Sequence, residues 1–263
     1  MANLNLKVVN AGPATDVAKA VMVTFAQGSV DLPTTVGIIE HPKHGIILWD
    51  TGVNDAVADP KTAEQHWGPG LREAFGMTKF TREDAIDAQL RRLGVQPSEV
   101  RYVLYSHLHL DHAGGMSYFP QAVHVLQREE IRYALWPDRW TRTAYSQSDL
   151  RDIRKLDILE IDGDRDLFSD GTLQLVKAPG HSPGHQVLIL NLAQHGRICL
   201  AGDVGHLREG YENMVPFPWD QNISDMSMTW MRMKQLERSG VPVFLCHDPE
   251  DFAKLPKGNE CWD

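Results

Sequence analysis

The chain opens on apolar runs separated by turn residues. "LNLKVVNAG" (4–12), "KAVMVTFA" (19–26), "TVGIIE" (35–40) and "GIILWDTG" (45–52) have strand-like composition, and the turn-rich "HPKHG" (41–45) joins the last two into a hairpin. The period then changes. In "TREDAIDAQLRRLG" (81–94), Ile86, Leu90 and Leu93 fall at i, i+4 and i+7; Thr81 as N-cap, Asp84 three residues on and Gly94 past the end predict one helix. It feeds the strand "VRYVLYS" (100–106). Downstream, the pattern predicts a helix around "QREEIRYALW" (127–136), strands at "TLQLVKAPG" (172–180) and "RICLAGD" (197–203), a helix near 224–238 with Met226, Trp230 and Met233 on one face, and a strand at "VPVFLCHD" (241–248). Strands and helices mix throughout, so the fold class is α/β or α+β, with sheets covered by helices. Residues 53–80 lose periodicity and carry Trp67, Phe75, Met77 and Phe80 among Gly and Pro, which predicts a loop or short helices over a surface. A segment of this kind is more often functional than idle, and a lid is the expectation.

A second pattern overlies the first. Asp50, His107, His181, Asp203 and His247 each follow an apolar strand-like run. Sites in sheet proteins gather where strand ends give way to loops, so these side chains can converge on one cleft. The densest stretch is "YSHLHLDHAGG" (105–115). On extended backbone His107 and His109 share a face; Asp111 and His112 sit where the chain turns, with Gly114 and Gly115 permitting a tight turn. Each pair is too small to hold a divalent ion alone, because zinc takes about four ligands. His181 can complete the first set, His247 the second, and Asp203 can bridge both. Two ions about 3.5–4 Å apart can share a hydroxide, lower its pKa and aim it at an electrophilic carbon or phosphorus. Zinc suits such ligands, and iron, cobalt and manganese are compatible with them. Without metal, the buried H-x-H-x-D-H group would leave crowded, desolvated polar atoms at considerable cost. His41, His44, His66, His124 and His195 read as ordinary hydrogen-bonded residues, Asp50 as a turn cap, and His185 as a partner that orients a ligand.

Composition narrows the partners. At 263 residues, 42% hydrophobic and 23% charged, the chain is expected to form a single domain over 1–263. Its net charge of −9, with no Lys/Arg-rich block, excludes a phosphate-backbone footprint and so argues against nucleic acid. Three cysteines without a C-x-x-C pair argue for a reducing compartment, with Cys199 and Cys246 filling core space. The N-terminus lacks the pattern of a secretory signal, and no apolar run reaches the roughly 20 residues needed to span a bilayer. The expected location is the cytoplasm, with no membrane partner.

At these residues the chain resembles the metallo-β-lactamase superfamily. The resemblance runs from about Thr35 to His247 through "WDTG" (49–52), "SHLHLDHAGG" (106–115), "APGHSPGH" (178–185), "AGD" (201–203) and "CHD" (246–248). It implies a four-layer αβ/βα sandwich with a dinuclear site at one edge: His107, His109 and His181 on one metal, Asp111, His112 and His247 on the other, Asp203 bridging and Asp50 in support. Both sets are complete, which points to hydrolysis. Within the superfamily the chain is most similar to N-acyl homoserine lactonases, which implies a small lactone substrate opened by a metal-bridging hydroxide, and a homodimer. Asp111 would pass a proton to the leaving oxygen. Many of those lactonases carry a tyrosine three residues beyond the bridging aspartate; here His206 stands there as an auxiliary donor, and Tyr211 is a substitute from the next loop. Residues 53–80 or "YENMVPFPW" (211–219) would receive an acyl tail, with core or dimer packing as the alternative for their aromatics. A thioesterase, a β-lactamase, a hydrolytic dehalogenase of an aromatic compound and a non-catalytic metal sensor are the competing readings.

Overall fold

The computed structural model describes residues 4–263. In chain order it runs β1 (Asn5–Asn10), β2 (Ala14–Ala18), α1 (Lys19–Met22), β3 (Ser29–Leu32), β4 (Thr35–His41), β5 (Gly45–Trp49), α2 (Pro60–His66), α3 (Leu71–Ala74) and α4 (Ile86–Arg92). There follow β6 (Val100–Leu104), β7 (Val123–Gln127), α5 (Arg128–Leu135), β8 (Asp157–Ile161), β9 (Arg165–Asp166), β10 (Leu173–Lys177) and β11 (Gln186–Leu192). The chain ends with β12 (Gly196–Leu200), α6 (Arg208–Glu212), α7 (Ile223–Arg238), β13 (Val243–Phe244) and α8 (Pro249–Lys254).

Two sheets dominate. One has the order β1-β4-β5-β6-β7-β8 and the other β13-β12-β11-β10-β9. Strand alternation sends one set of side chains between them: Ile39, Ile47, Trp49 and Leu104 from the first sheet meet Leu175, Leu188, Leu190 and Leu200 from the second. The intervening residues point outward. Ile38, Leu48 and Val103 pack on Ile86 and Leu90 of α4, while Val187, Ile189 and Cys199 pack on Met226, Trp230 and Met233 of α7. The result is helix, sheet, sheet, helix, the four-layer α/β architecture expected. On α7 the buried positions Met226, Thr229, Trp230 and Met233 follow the i, i+3, i+4, i+7 rule, and Asn222 caps its first turn through Ser224 and Asp225.

Strand direction explains why the site lies at one edge. β5 and β6 are parallel neighbours, so Asp50 and His107 leave the first sheet side by side; β12 and β13 are likewise parallel, so Asp203 and His247 leave the second together. β10 lies two antiparallel steps from β12 and therefore points the same way, which brings His181 to that edge. The sheets are tied there by Thr35, whose Oγ1 donates to the Cys246 carbonyl at 2.7 Å.

Some expectations change. The run 19–26 is a helical turn at the tip of the β2–β3 hairpin: Val23 and Ala26 are buried at i, i+3, Val21 and Phe25 exposed at i, i+4, and the Val23 N–H reaches the Lys19 carbonyl. The helix expected over 81–94 breaks at Ala85, which is extended at φ −65°, ψ 145°; the Thr81–Asp84 capping box closes only a 3-10 turn before α4 begins. Gly114 and Gly115 do form the expected tight turn, closed by the Met116 N–H on the Ala113 carbonyl at 3.0 Å, and Gly114 also serves a close approach, since a Cβ there would lie 2.4 Å from the Asn54 backbone nitrogen. Residues 53–80 do form short helices, but Trp67, Met77 and Phe80 are buried among Val53, Val57 and Leu110. No helix among the described residues is long and apolar enough to cross a membrane.

Candidate metal centre

Asp50 sets the frame. It holds a left-handed backbone (φ +62°) directly after β5, is fully buried, and spends its carboxylate on three donors. The Ser106 N–H reaches Oδ1 at 2.7 Å; the Ser106 hydroxyl and His112 Nδ1 reach Oδ2 at 2.8 and 2.9 Å. His112 is thereby oriented with Nε2 facing the cleft. Three more imidazoles at the edge are held by similar contacts, whereas His109 turns its Nδ1 to His181 Nε2 at 3.0 Å. His107 Nδ1 lies 2.9 Å from the Ser106 Oγ, His181 Nδ1 2.9 Å from Asp220 Oδ1, and His247 Nδ1 donates to the Pro33 carbonyl at 2.7 Å. His185 donates from Nδ1 to the Ala178 carbonyl and accepts the Asp203 N–H on Nε2 at 3.0 Å, so both ring nitrogens are occupied and it supports Asp203 rather than facing the cleft. Gly202 (φ +53°) allows that approach, because a Cβ would meet the His185 ring at 2.8 Å.

The remaining ring nitrogens form two groups. The donor atoms of His107, His109 and His181 lie within 4.8 Å of one another, and so do those of His112, Asp203, Cys246 and His247. Asp203 straddles them. Its Oδ2 faces His181 Nε2 at 3.4 Å and His107 Nε2 at 3.9 Å, while its Oδ1 faces His112 Nε2 and His247 Nε2, each at 3.3 Å. Asp111 Oδ2 stands 3.5 Å from His247 Nε2 and 3.8 Å from His112 Nε2, on the second group's side. Cys246, read from sequence as core filling, reaches this group too. Its thiol is directed at the Thr35 carbonyl at 3.7 Å, and burial pushes its pKa well up. His206 lies on the first group's side, its Nε2 3.2 Å from Asp203 Oδ2 and its ring 4.0 Å from Phe217.

Burial holds His107 and His109 well below the usual imidazole pKa, leaving neutral rings with lone pairs to offer. His112 and His247 go the other way: burial opposes their charge, but Asp203 and Asp111 outweigh it and raise both. For Asp203, burial is outweighed by His112, His247 and His206, which hold it well below the usual carboxylate range.

These atoms fit cations. His112 and His247 each commit Nδ1–H elsewhere, so as neutral rings they would aim two Nε2 lone pairs at each other across 3.3 Å. Among the described residues, His107 Nε2 and Asp203 Oδ1 are buried without a hydrogen-bond partner, an arrangement that costs about 1–3 kcal/mol per group unless something satisfies it. Positive charge between these groups relieves both problems. Sequence reasoning missed Ser106, Asp220 and the Pro33 carbonyl. Ser106 lay inside the quoted motif, but Asp220 is 39 residues from its histidine and no local spacing signals it.

A cavity adjoins the group, with apolar walls that include Val17, Met22, Leu32, Phe75 and Phe217; Asp111, Asp203, His206 and His247 close its floor. Phe75, Met77, Phe217 and Trp219 line it, whereas Trp67 and Phe80 belong to the packing beneath. Tyr211 does not substitute at His206's position. Its ring is buried and its hydroxyl donates to Glu237 Oε2 at 3.0 Å, away from the cleft.

The chain is similar to known proteins over most of its length. The chain is 31% identical over 237 residues to the N-acyl homoserine lactonase AttM of Azorhizobium caulinodans, covering 89% of this chain and 88% of the relative. It is 31% identical to the N-acyl homoserine lactonase AiiA of Bacillus thuringiensis subsp. kurstaki, covering 84% of this chain and 83% of that one. A solved N-acyl homoserine lactone hydrolase, with the product N-hexanoyl-L-homoserine at its catalytic metal centre, superposes with a TM-score of 0.83 at 27% identity, covering 99% of this chain and 100% of the other. The metallo-beta-lactamase superfamily model matches residues 30–236, a span that takes in the Asp50 frame, the H-x-H-x-D-H loop, His181 and Asp203. The chain belongs to the metallo-β-lactamase superfamily.

Proposed function

We propose that the protein is a metal-dependent hydrolase that opens the ester ring of N-acyl homoserine lactones. The observation that carries this reading is Asp203 facing two sets of inward ring nitrogens at the floor of an apolar cavity. His107, His109 and His181 would hold one divalent cation, Asp111, His112 and His247 the other, with Asp203 shared. We take the ions as zinc; iron, cobalt and manganese are compatible with the same donors. When bound, such ions supply an activated water and positive charge for a developing oxyanion.

The chain's own residues do the rest. Asp111 is the most exposed of the proposed ligands, at 15% of its side chain, and borders the cavity, so its carboxylate can take the proton released by the attacking water and pass it to the leaving ring oxygen. His206 borders the same cavity with a proton at Nε2 held on Asp203, from which it can be offered to a substrate carbonyl. Val17, Met22, Leu32, Phe75 and Phe217 would exclude water and take the acyl tail, the apolar lining with a few convergent polar groups that ligand clefts share. The relatives' activity and the product-bound neighbour support the same substrate class. We take residues 1–263 as one hydrolase domain, in which 53–80 contributes cavity wall through Phe75 and Met77. The cytoplasm is the location we favour, consistent with three free cysteines.

The test is a substrate panel on metal-loaded protein: acyl homoserine lactones of several tail lengths, a thioester, a cephalosporin, bis-p-nitrophenyl phosphate and an activated aryl halide. Lactone opening should dominate. Turnover of any other member with lactones untouched would replace this reading.

A further inference from the structure

Glu130, in the first turn of α5, is fully buried and lies outside the metal cluster, yet it joins the two loops that carry the first group of histidines. Its Oε1 accepts the Leu108 N–H at 2.9 Å and the Tyr145 hydroxyl at 3.3 Å. Its Oε2 accepts the Ser182 hydroxyl at 2.6 Å and the Gly184 N–H at 3.0 Å. Leu108 sits between His107 and His109, and Ser182 follows His181. Each histidine of the first group is therefore bonded in the chain to a residue that Glu130 holds. Tyr145 adds a second tie, since its ring packs edge-on against His109 with centroids 4.7 Å apart. The loop comes so close that a Cβ on Gly184 would lie 2.3 Å from the Glu130 backbone nitrogen.

These contacts suit a carboxylate, which accepts on both oxygens: the two backbone N–H groups can only donate, and the two hydroxyls donate here. Burial raises the Glu130 pKa, and the Ser182, Leu108 and Gly184 donors oppose that rise. A buried anion is costly unless it is used in this way, and ordinary core packing at this position calls for none.

We propose that Glu130 is a positioning residue for the first cation, a buried carboxylate that fixes the loop of His107 and His109 against the loop of His181. This rests on the dinuclear reading above. Glu130 touches neither ligand nitrogen nor substrate; it acts through backbone and hydroxyl donors on two loops that chain connectivity leaves independent. Its negative charge behind the three imidazoles also favours a cation in front of them.

The test uses the full chain, stripped of metal and titrated with zinc against a chromophoric chelator, then with cobalt(II) to follow its absorption spectrum. Glu130→Gln keeps the shape but turns an NH2 toward two donors. The first-site binding step should weaken by roughly 10- to 100-fold, as for loss of a partner behind a metal ligand, with the second step and its cobalt spectrum unchanged. Ser182→Ala leaves the carboxylate and the fold in place and should weaken the same step by roughly 10-fold; it carries the test alone if the glutamine variant does not fold. Leu90→Ala, buried in the helix–sheet core, lowers stability without separating the two steps. Titrations of both site variants that match the wild type overturn the proposal, and so does equal weakening of both steps. A wild-type chain that takes up fewer than two ions overturns the dinuclear reading itself, an outcome distinct from both.

Discussion

Asp220 offers a sharp test of how the first group of histidines is held. Its Oδ1 takes the His181 Nδ1 proton at 2.9 Å and its Oδ2 takes the Phe217 N–H at 2.8 Å, with both the histidine and aspartate side chains about 1% exposed. Solvent screening is therefore slight. Asp220→Asn preserves volume, but a carboxamide has one accepting oxygen and one donating nitrogen, so it can serve His181 or Phe217 and must present N–H to the other. One buried hydrogen bond to a charged acceptor is lost, worth about 1.5–3 kcal/mol. At 1.4 kcal/mol per decade this is roughly 10- to 100-fold. If the contact to His181 goes, the loss is in first-site metal affinity. If the contact to Phe217 goes, it falls on KM, since Phe217 lines the cavity and packs on His206. Zinc titration against a competing chelator, paired with steady-state kinetics on a short-chain acyl homoserine lactone, separates the two outcomes. A variant with wild-type affinity at both sites and unchanged KM and kcat would refute the reasoning.

Further outcomes follow from the same geometry. Asp203→Ala removes the carboxylate shared by both groups and should lower metal content at both sites as well as rate, measured by elemental analysis of the purified variant; a fully loaded, active variant contradicts the bridge. His206→Phe should lower kcat by roughly 10- to 100-fold with metal content intact, the usual contribution of a positioned proton donor, and unchanged kinetics removes His206 from the reaction. The metal-free protein should be most stable near pH 6.5, read as thermal midpoint against pH. His112 and His247 have pKa values raised above 6.5 on folding, so their contribution is present below that pH and lost as pH rises through the folded values. His107 and His109 are lowered by burial, as is His185 to about 3, so their contribution is present above 6.5 and lost as pH falls toward the folded values. Bound metal deprotonates His112 and His247 and should flatten the alkaline limb; a metal-free profile rising steadily past pH 8 contradicts the assignment of those two rings.

What could be read from sequence was whatever lies next to its own strand. Asp50, His107, Asp203 and His247 each follow an apolar run within a residue or three, and the parallel pairs β5/β6 and β12/β13 turn that adjacency into a shared edge. The α7 face was legible for a similar reason, because helical period exposes it in one window. What could not be read depends on long-range closure. Asp220 meets His181, Pro33 meets His247 across 214 residues, and Glu130 meets Ser182 across 52, none with a local signature. The run 19–26 misled because an apolar octet at a hairpin tip buries Val23 and Ala26 and exposes Val21 and Phe25, a choice set by packing against Leu32, Val53 and Leu207. Trp67 and Phe80 had the composition of a lid and the environment of a core, and only packing separates the two.

The account depends most on two cations held by imidazoles and carboxylates drawn from separate strand ends. Elemental analysis of gently purified protein, followed by chelation and stepwise re-addition while lactone opening is monitored, addresses this directly. The account predicts two divalent ions per chain, turnover that vanishes on stripping, and recovery that tracks the second equivalent. Undiminished turnover in chelator, or full activity at negligible metal content, would contradict it.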